Sequence, residues 1–187
     1  MRKTLYALFM ATVLAAPIAL AASAQSDNPM VGGAPMYRSK NIVENAVNSA
    51  DHTTLVAAVK AAGLVDTLSA KGPFTVFAPT NAAFDKLPAG TVQTLLMPEN
   101  KGMLTKVLTY HVVAGRYDSK RLMQLIKKGG GQARLTTVSG GTLIARMNGM
   151  NGISLTDERG GTSNVTTANV YQSNGVIHVV DTVLMPQ

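Results

Sequence analysis

The chain has no cysteine, which excludes disulfides, thiolate nucleophiles and thiolate metal sites. It has no tryptophan and only four phenylalanines and five tyrosines. Its core must therefore be aliphatic, built from Val, Leu, Ile, Ala and Met, and a chain of 187 residues is long enough to bury one such core. Acidic residues are scarce, ten against 17 Lys and Arg. The one adjacent carboxylate pair, Asp157 and Glu158, reads as a solvated corner rather than an acid/base pair. The three histidines, His52, His111 and His178, lack metal-ligand spacing. There is no Gly-x-Ser-x-Gly elbow, and the glycine clusters at 129–131 and 160–161 lack the Lys-Ser/Thr of a phosphate loop. No catalytic constellation remains, so the expectation is a non-enzyme without cofactor or metal.

One apolar run, residues 5–22, approaches the length of a bilayer span. Arg2 and Lys3 precede it and Ala22-Ser-Ala24 follows, a small-x-small cleavage signature. A retained membrane anchor is the competing reading, but Pro17 and the small-residue end favour cleavage. Residues 1–24 are thus expected as a signal peptide, with Gln25 as the mature N-terminus and a secreted or periplasmic product. The net charge of +7 falls to +5 without Arg2 and Lys3. A basic exported protein can meet anionic lipid, polysaccharide or other acidic surfaces. Nucleic acid is not an expected partner, because the chain is exported and basic and aromatic residues do not interleave along it.

Residues 25–38 are polar, contain Gly and Pro, and lack periodicity, which predicts a flexible leader before a domain over 39–187. Apolar residues at helical spacing predict helices through Ile42–Ala50 and Leu55–Ala62, with Asp51 as cap and Gly63 as stop. Further helical stripes include Leu122, Leu125 and Ile126, with Ser119 as cap and Lys127 and Lys128 in the last turn, where the helix dipole favours cations. Strand alternation marks residues 74–77, and from residue 134 onward the chain reads as β. Asn174-Gly175 predicts a type I′ hairpin turn. The following strand, apolar on both faces, is expected in a central position. Helices first and strands later give an α+β class.

Three separated segments add specificity. Residues 74–84 read FTVFAPTNAAF, residues 110–115 read YHVVAG, and residues 174–186 read NGVIHVVDTVLMP. In this order they resemble the defining segments of the fasciclin-like domain, over roughly residues 40–186. The resemblance implies a wedge-shaped β-sandwich of two sheets with helices packed along one side. It also implies a binding or cell-adhesion module at the cell surface or matrix, whose partner is a surface or matrix protein or polysaccharide. The alternative is a periplasmic protein that binds a small molecule or lipid in an apolar cleft between helices and sandwich. Oligomeric state stays open.

The motif residues Thr80, Asn81, Tyr110, His111, His178 and Asp181 are read as mainly structural. Thr80 is placed to cap a short helix, and Asp181 to tie down a neighbouring loop. The Tyr110-His111 pair sits where animal members of the family carry adhesion segments. The simpler reading is a buried histidine whose ring nitrogens lock a helix-to-strand turn. His178 is expected in the core or at an edge, and His52 at the surface. Lys120, Arg121, Lys127 and Lys128 form the candidate patch for an anionic surface.

Overall fold

The computed structural model describes residues 28–187, so the expected signal peptide and residues 25–27 lie outside the described residues. Among the described residues no helix is long and apolar enough to cross a membrane. The segment expected as a flexible leader is ordered from Asn28 onward. Strands β1 (Met30–Val31) and β2 (Ala34–Pro35) pair as a hairpin through Gly32 and Gly33, which take positive φ of 57° and 75°. Val31 and Met36 are buried. The Asn45 amide donates to the Tyr37 carbonyl and accepts from its N–H. These anchors are remote in sequence, and periodicity does not reveal such contacts.

Helix α1 (Ile42–Ala46) opens with a capping box between Asn41 and Glu44 and is shorter than expected. A 3₁₀ turn (Ala50–His52) leads into α2 (Thr53–Ala62), which stops at Gly63 with φ 73°. Asp51 does not cap α2; it lies in the 3₁₀ turn. There follow α3 (Val65–Ser69), β3 (Phe74–Pro79), α4 (Asn81–Asp85), α5 (Thr91–Leu96), α6 (Lys101–Tyr110), β4 (Val112–Ala114) and α7 (Ser119–Lys128). Asp118 rather than Ser119 caps α7, accepting from the Arg121 N–H at 2.8 Å. Both residue types cap well, but the Ser119 hydroxyl is engaged by the Asn169 amide of a distant strand. Leu122 and Ile126 on the inner face of α7 are fully buried, each worth about 1.5–3 kcal/mol.

Strands β5 (Gln132–Thr136), β6 (Thr142–Asn148), β7 (Gly152–Thr156), β8 (Thr162–Gln172) and β9 (Gly175–Val180) complete a seven-stranded sheet of order β4-β3-β9-β8-β7-β6-β5. The β3–β9 pair is parallel and the other pairs are antiparallel. A bridge between Val113 and Thr137 brings the two ends of the sheet together, so it curls into a near-barrel. The two sheets expected of the sandwich are two halves of this one sheet, joined through the long strand β8. The class is α+β.

The expected type I′ turn is absent, because neither Asn174 nor Gly175 has positive φ. The Asn174 side chain explains the difference. It accepts from the Ile42 N–H and donates to the Leu68 and Ala70 carbonyls, and these tertiary bonds override the local turn preference. Strand β9 is central, and all six of its residues are buried. Ile177 and Val179 join the apolar cluster under the helices, while Val180 joins the cluster inside the curled sheet.

Candidate functional site

The motif residues are tied into the fold at defined atoms. Thr80 Oγ1 accepts from the Ala83 N–H at 3.2 Å and caps α4. Asn81 reaches across to α2: its carbonyl oxygen accepts from the Thr54 N–H and the Thr53 hydroxyl, and its amide donates to the Ala50 carbonyl. It thereby satisfies the start of a helix whose own N-cap residue provides no side-chain bond. The Tyr110 ring is fully buried, so close to Gly141 that a Cβ there would approach the ring to 2.7 Å. Its hydroxyl donates to the Thr142 carbonyl and accepts from the Glu158 N–H, and burial pushes its pKa up to about 12.

His111 lies at the end of α6. Its Nδ1 donates to the Val107 carbonyl at 2.8 Å, and its Nε2 accepts from the Leu184 N–H at 3.0 Å. Only a neutral ring can do both, and burial lowers its pKa to about 4. His178 donates from Nε2 to the Tyr117 carbonyl and stacks on Phe77, with ring centroids 5.6 Å apart. Burial lowers its pKa as well, and Nδ1 has no hydrogen-bond partner among the described residues. Asp181 accepts from the Asn164 backbone and side-chain N–H groups and from the Thr182 hydroxyl. Burial alone would raise its pKa; these bonds outweigh that and lower it. Asp157 and Glu158 are not a solvated corner. Asp157 is buried and accepts from the Arg159, Gly161 and Met185 N–H groups, while Glu158 accepts from those of Thr142 and Gln187.

This arrangement joins all three motif segments, since His111 clamps the 174–186 segment and the 74–84 segment pairs with it along β3 and β9. The sequence pattern of the fasciclin domain matches residues 50–186. The chain belongs to the fasciclin domain family. It is 47% identical over 146 residues to protein sll1483 of Synechocystis sp., covering 78% of this chain and 73% of that one. It is 33% identical over 197 residues to the cell surface glycolipoprotein MPB83 of Mycobacterium bovis, covering 94% and 81%. Among solved structures, a FAS1 domain pair from the insect cell adhesion molecule Fasciclin I superposes with a TM-score of 0.69 at 20% identity. That match covers 78% of this chain and 51% of the insect chain, so this fasciclin domain spans about half of the two-domain molecule.

Outside the motif, the domain assembles an exposed face that adjacency in sequence does not show. The Arg38 guanidinium lies 4.8 Å above the Tyr171 ring, and the Tyr171 hydroxyl donates to Asp118. Asp118 caps α7, where Arg121 lies 4.8 Å above the Tyr117 ring. Arg116 donates to the Gln172 and Ser173 carbonyls, and Lys40 sits over Tyr37. Cations and aromatics that do not interleave in sequence thus interleave in space. The expected patch continues this face. Lys120, Arg121, Lys127 and Lys128 are all exposed on α7, and steps of seven residues keep Lys120 with Lys127, and Arg121 with Lys128, on one side of the helix.

His52, expected at the surface, is buried at 4% exposure. The 3₁₀ turn directs it inward, where Nδ1 meets the Ser49 hydroxyl at 2.8 Å. Its Nε2 has no partner of hydrogen-bonding geometry among the described residues; burial lowers its pKa, outweighing the nearby Ala78 carbonyl, which favours the protonated ring. His52 and His111 both border an apolar cavity between the helices and β3/β9.

In sequence Asn174 reads only as a turn residue and Asn45 as one polar position in a helical stripe, because the distant partners of an Asn side chain leave no local pattern. Asn45 is fully buried and bonds Gln172 as well as Tyr37. Replacing Asn174 by alanine leaves three backbone groups without partners, which is expected to cost about 2–3 kcal/mol. Urea unfolding at neutral pH measures this directly. A change below about 1 kcal/mol would remove Asn174 as the tie between α1, α3 and the β8–β9 turn.

Proposed function

We propose that this fasciclin domain is a non-catalytic binding module, exported to the periplasm, cell surface or matrix, whose partner is an acidic surface polymer, polysaccharide first. The observation that carries the reading is the contiguous cation–aromatic face from Arg38 through Tyr171, Tyr117 and Arg121 along α7. Planar guanidiniums pair with carboxylates, and tyrosine rings present flat apolar area beside them. The mycobacterial relative, a cell surface glycolipoprotein, and the insect cell adhesion molecule agree with such a role. Most polar groups of the motif are consumed by bonds inside the fold, His178 Nδ1 being buried without a partner among the described residues, which favours structural roles for them.

The test is co-sedimentation with a polyuronate polysaccharide at low and high salt. The wild type is compared with a variant carrying Arg38→Gln, Arg116→Gln and Arg121→Gln, and with one carrying Lys120→Gln, Lys127→Gln and Lys128→Gln. The first is expected to lose about tenfold in affinity and much of the salt dependence, the second less, because it keeps the cations beside aromatic rings. Equal binding by all three proteins at low salt would reject this face.

A further inference from the structure

The cavity between α1, α2 and the helix-facing side of β3 and β9 has a volume of about 230 Å³. Its walls are aliphatic, among them Ile42, Leu55, Val59, Leu68, Val76 and Ile177. The lining residues that reach solvent include Val47, half exposed just after α1, and Lys60 on α2. They mark a mouth with an apolar lip and one cation. Lys60 is the only charged side chain among the lining residues, the two histidines being held neutral by burial, and its side chain makes no ion pair or hydrogen bond among the described residues. Inside, His111 has both nitrogens committed to the backbone, and His52 Nδ1 is held by Ser49. Apart from His52 Nε2, which has no hydrogen-bond partner among the described residues, the interior offers no free polar group, and the charge sits at the rim.

We infer that this cavity is a binding site for a free medium-chain carboxylate, with the alkyl chain between the helices and the sheet and the carboxylate at Lys60. The inference does not rest on the cation–aromatic face, whose cations and rings are not among the residues that line the cavity. Chain length follows from volume. A cavity of about 150 Å³ accepts benzene, so this one has room for roughly nine carbon atoms. A dry apolar cavity of this size is a standing cost to the fold, which an apolar ligand relieves. The rim cation selects the sign of the head group, and because it is exposed its contribution is modest.

Isothermal titration with decanoate, below its micelle concentration, reads the site. The expected result is saturable one-to-one binding with a Kd on the order of 10–100 µM. Decylamine, with the same chain and the opposite charge, is expected to bind about fivefold more weakly. Lys60→Glu is expected to reverse that preference, and as an exposed position it leaves folding intact. Val56→Phe, which fills the cavity from α2, is expected to abolish binding of both amphiphiles. Absence of saturable decanoate binding up to about 1 mM would overturn the inference. So would an unchanged preference in Lys60→Glu, or binding to anionic vesicles without binding to monomeric decanoate.

Discussion

Replacing His111 by alanine is expected to destabilise the domain by about 3–4 kcal/mol, because the imidazole joins two segments that nothing else joins in the same way. Its Nδ1–H satisfies the Val107 carbonyl at the end of α6, and its Nε2 accepts from the Leu184 N–H in the C-terminal segment. Alanine leaves both backbone groups buried without partners and opens a void bordering the cavity. The melting temperature should fall by about 10 °C for a domain of this size. Polysaccharide binding at low temperature should persist in the folded fraction, because the exposed cation–aromatic face does not include this ring. Unchanged melting combined with lost binding would reverse the assignment and make His111 a recognition residue.

Acidification is expected to produce the second large effect. The folded pKa of His111 is lowered to about 4, first by burial, whereas the ring in the unfolded chain titrates near 6.5. Its contribution to stability is therefore fully present above pH 6.5 and is lost as the pH falls toward 4. The size of that loss is about 3 kcal/mol. Burial lowers the pKa of His52 and His178 too, so all three histidines act in the same direction. Asp181 and Glu158 also have lowered pKa values, but carboxylates lose their contribution in a more acidic window. Denaturant unfolding at a series of pH values from 7.5 to 4.5 checks this, and flat stability across that range would contradict it. In His111→Ala the slope between pH 6.5 and 4.5 should be smaller, because one proton-uptake site of the unfolded chain is gone.

Sequence and structure agree most closely where the signal is local. Gly63 stops α2, Thr80 caps α4, Gly129 follows α7, and β9 is central and buried along its whole length, as apolar residues on both of its faces predict. They part where a distant group competes. Ser119 is a sound local cap, yet Asn169 of β8 takes its hydroxyl and Asp118 caps instead. Asp51 precedes α2, yet Asn81 satisfies that helix start from 27 residues away. Asn174-Gly175 favours a primed turn, yet bonds to α1 and α3 fix another geometry.

The sequence by itself determined that the chain is a cysteine-free α+β domain of the fasciclin type without a catalytic motif. Composition, periodicity and three ordered segments are properties of neighbours along the chain, and they survive reading in one dimension. Only the tertiary structure decided that His52 is buried, that the hairpin at residues 30–35 belongs to the folded body, and that arginines and tyrosines far apart in sequence share one face. It also decided that an apolar cavity opens beside Lys60. Each of these depends on curling one sheet until β4 meets β5 and on packing α1 and α2 over β3 and β9. That closure sets distances between residues whose separation in sequence carries no record of them.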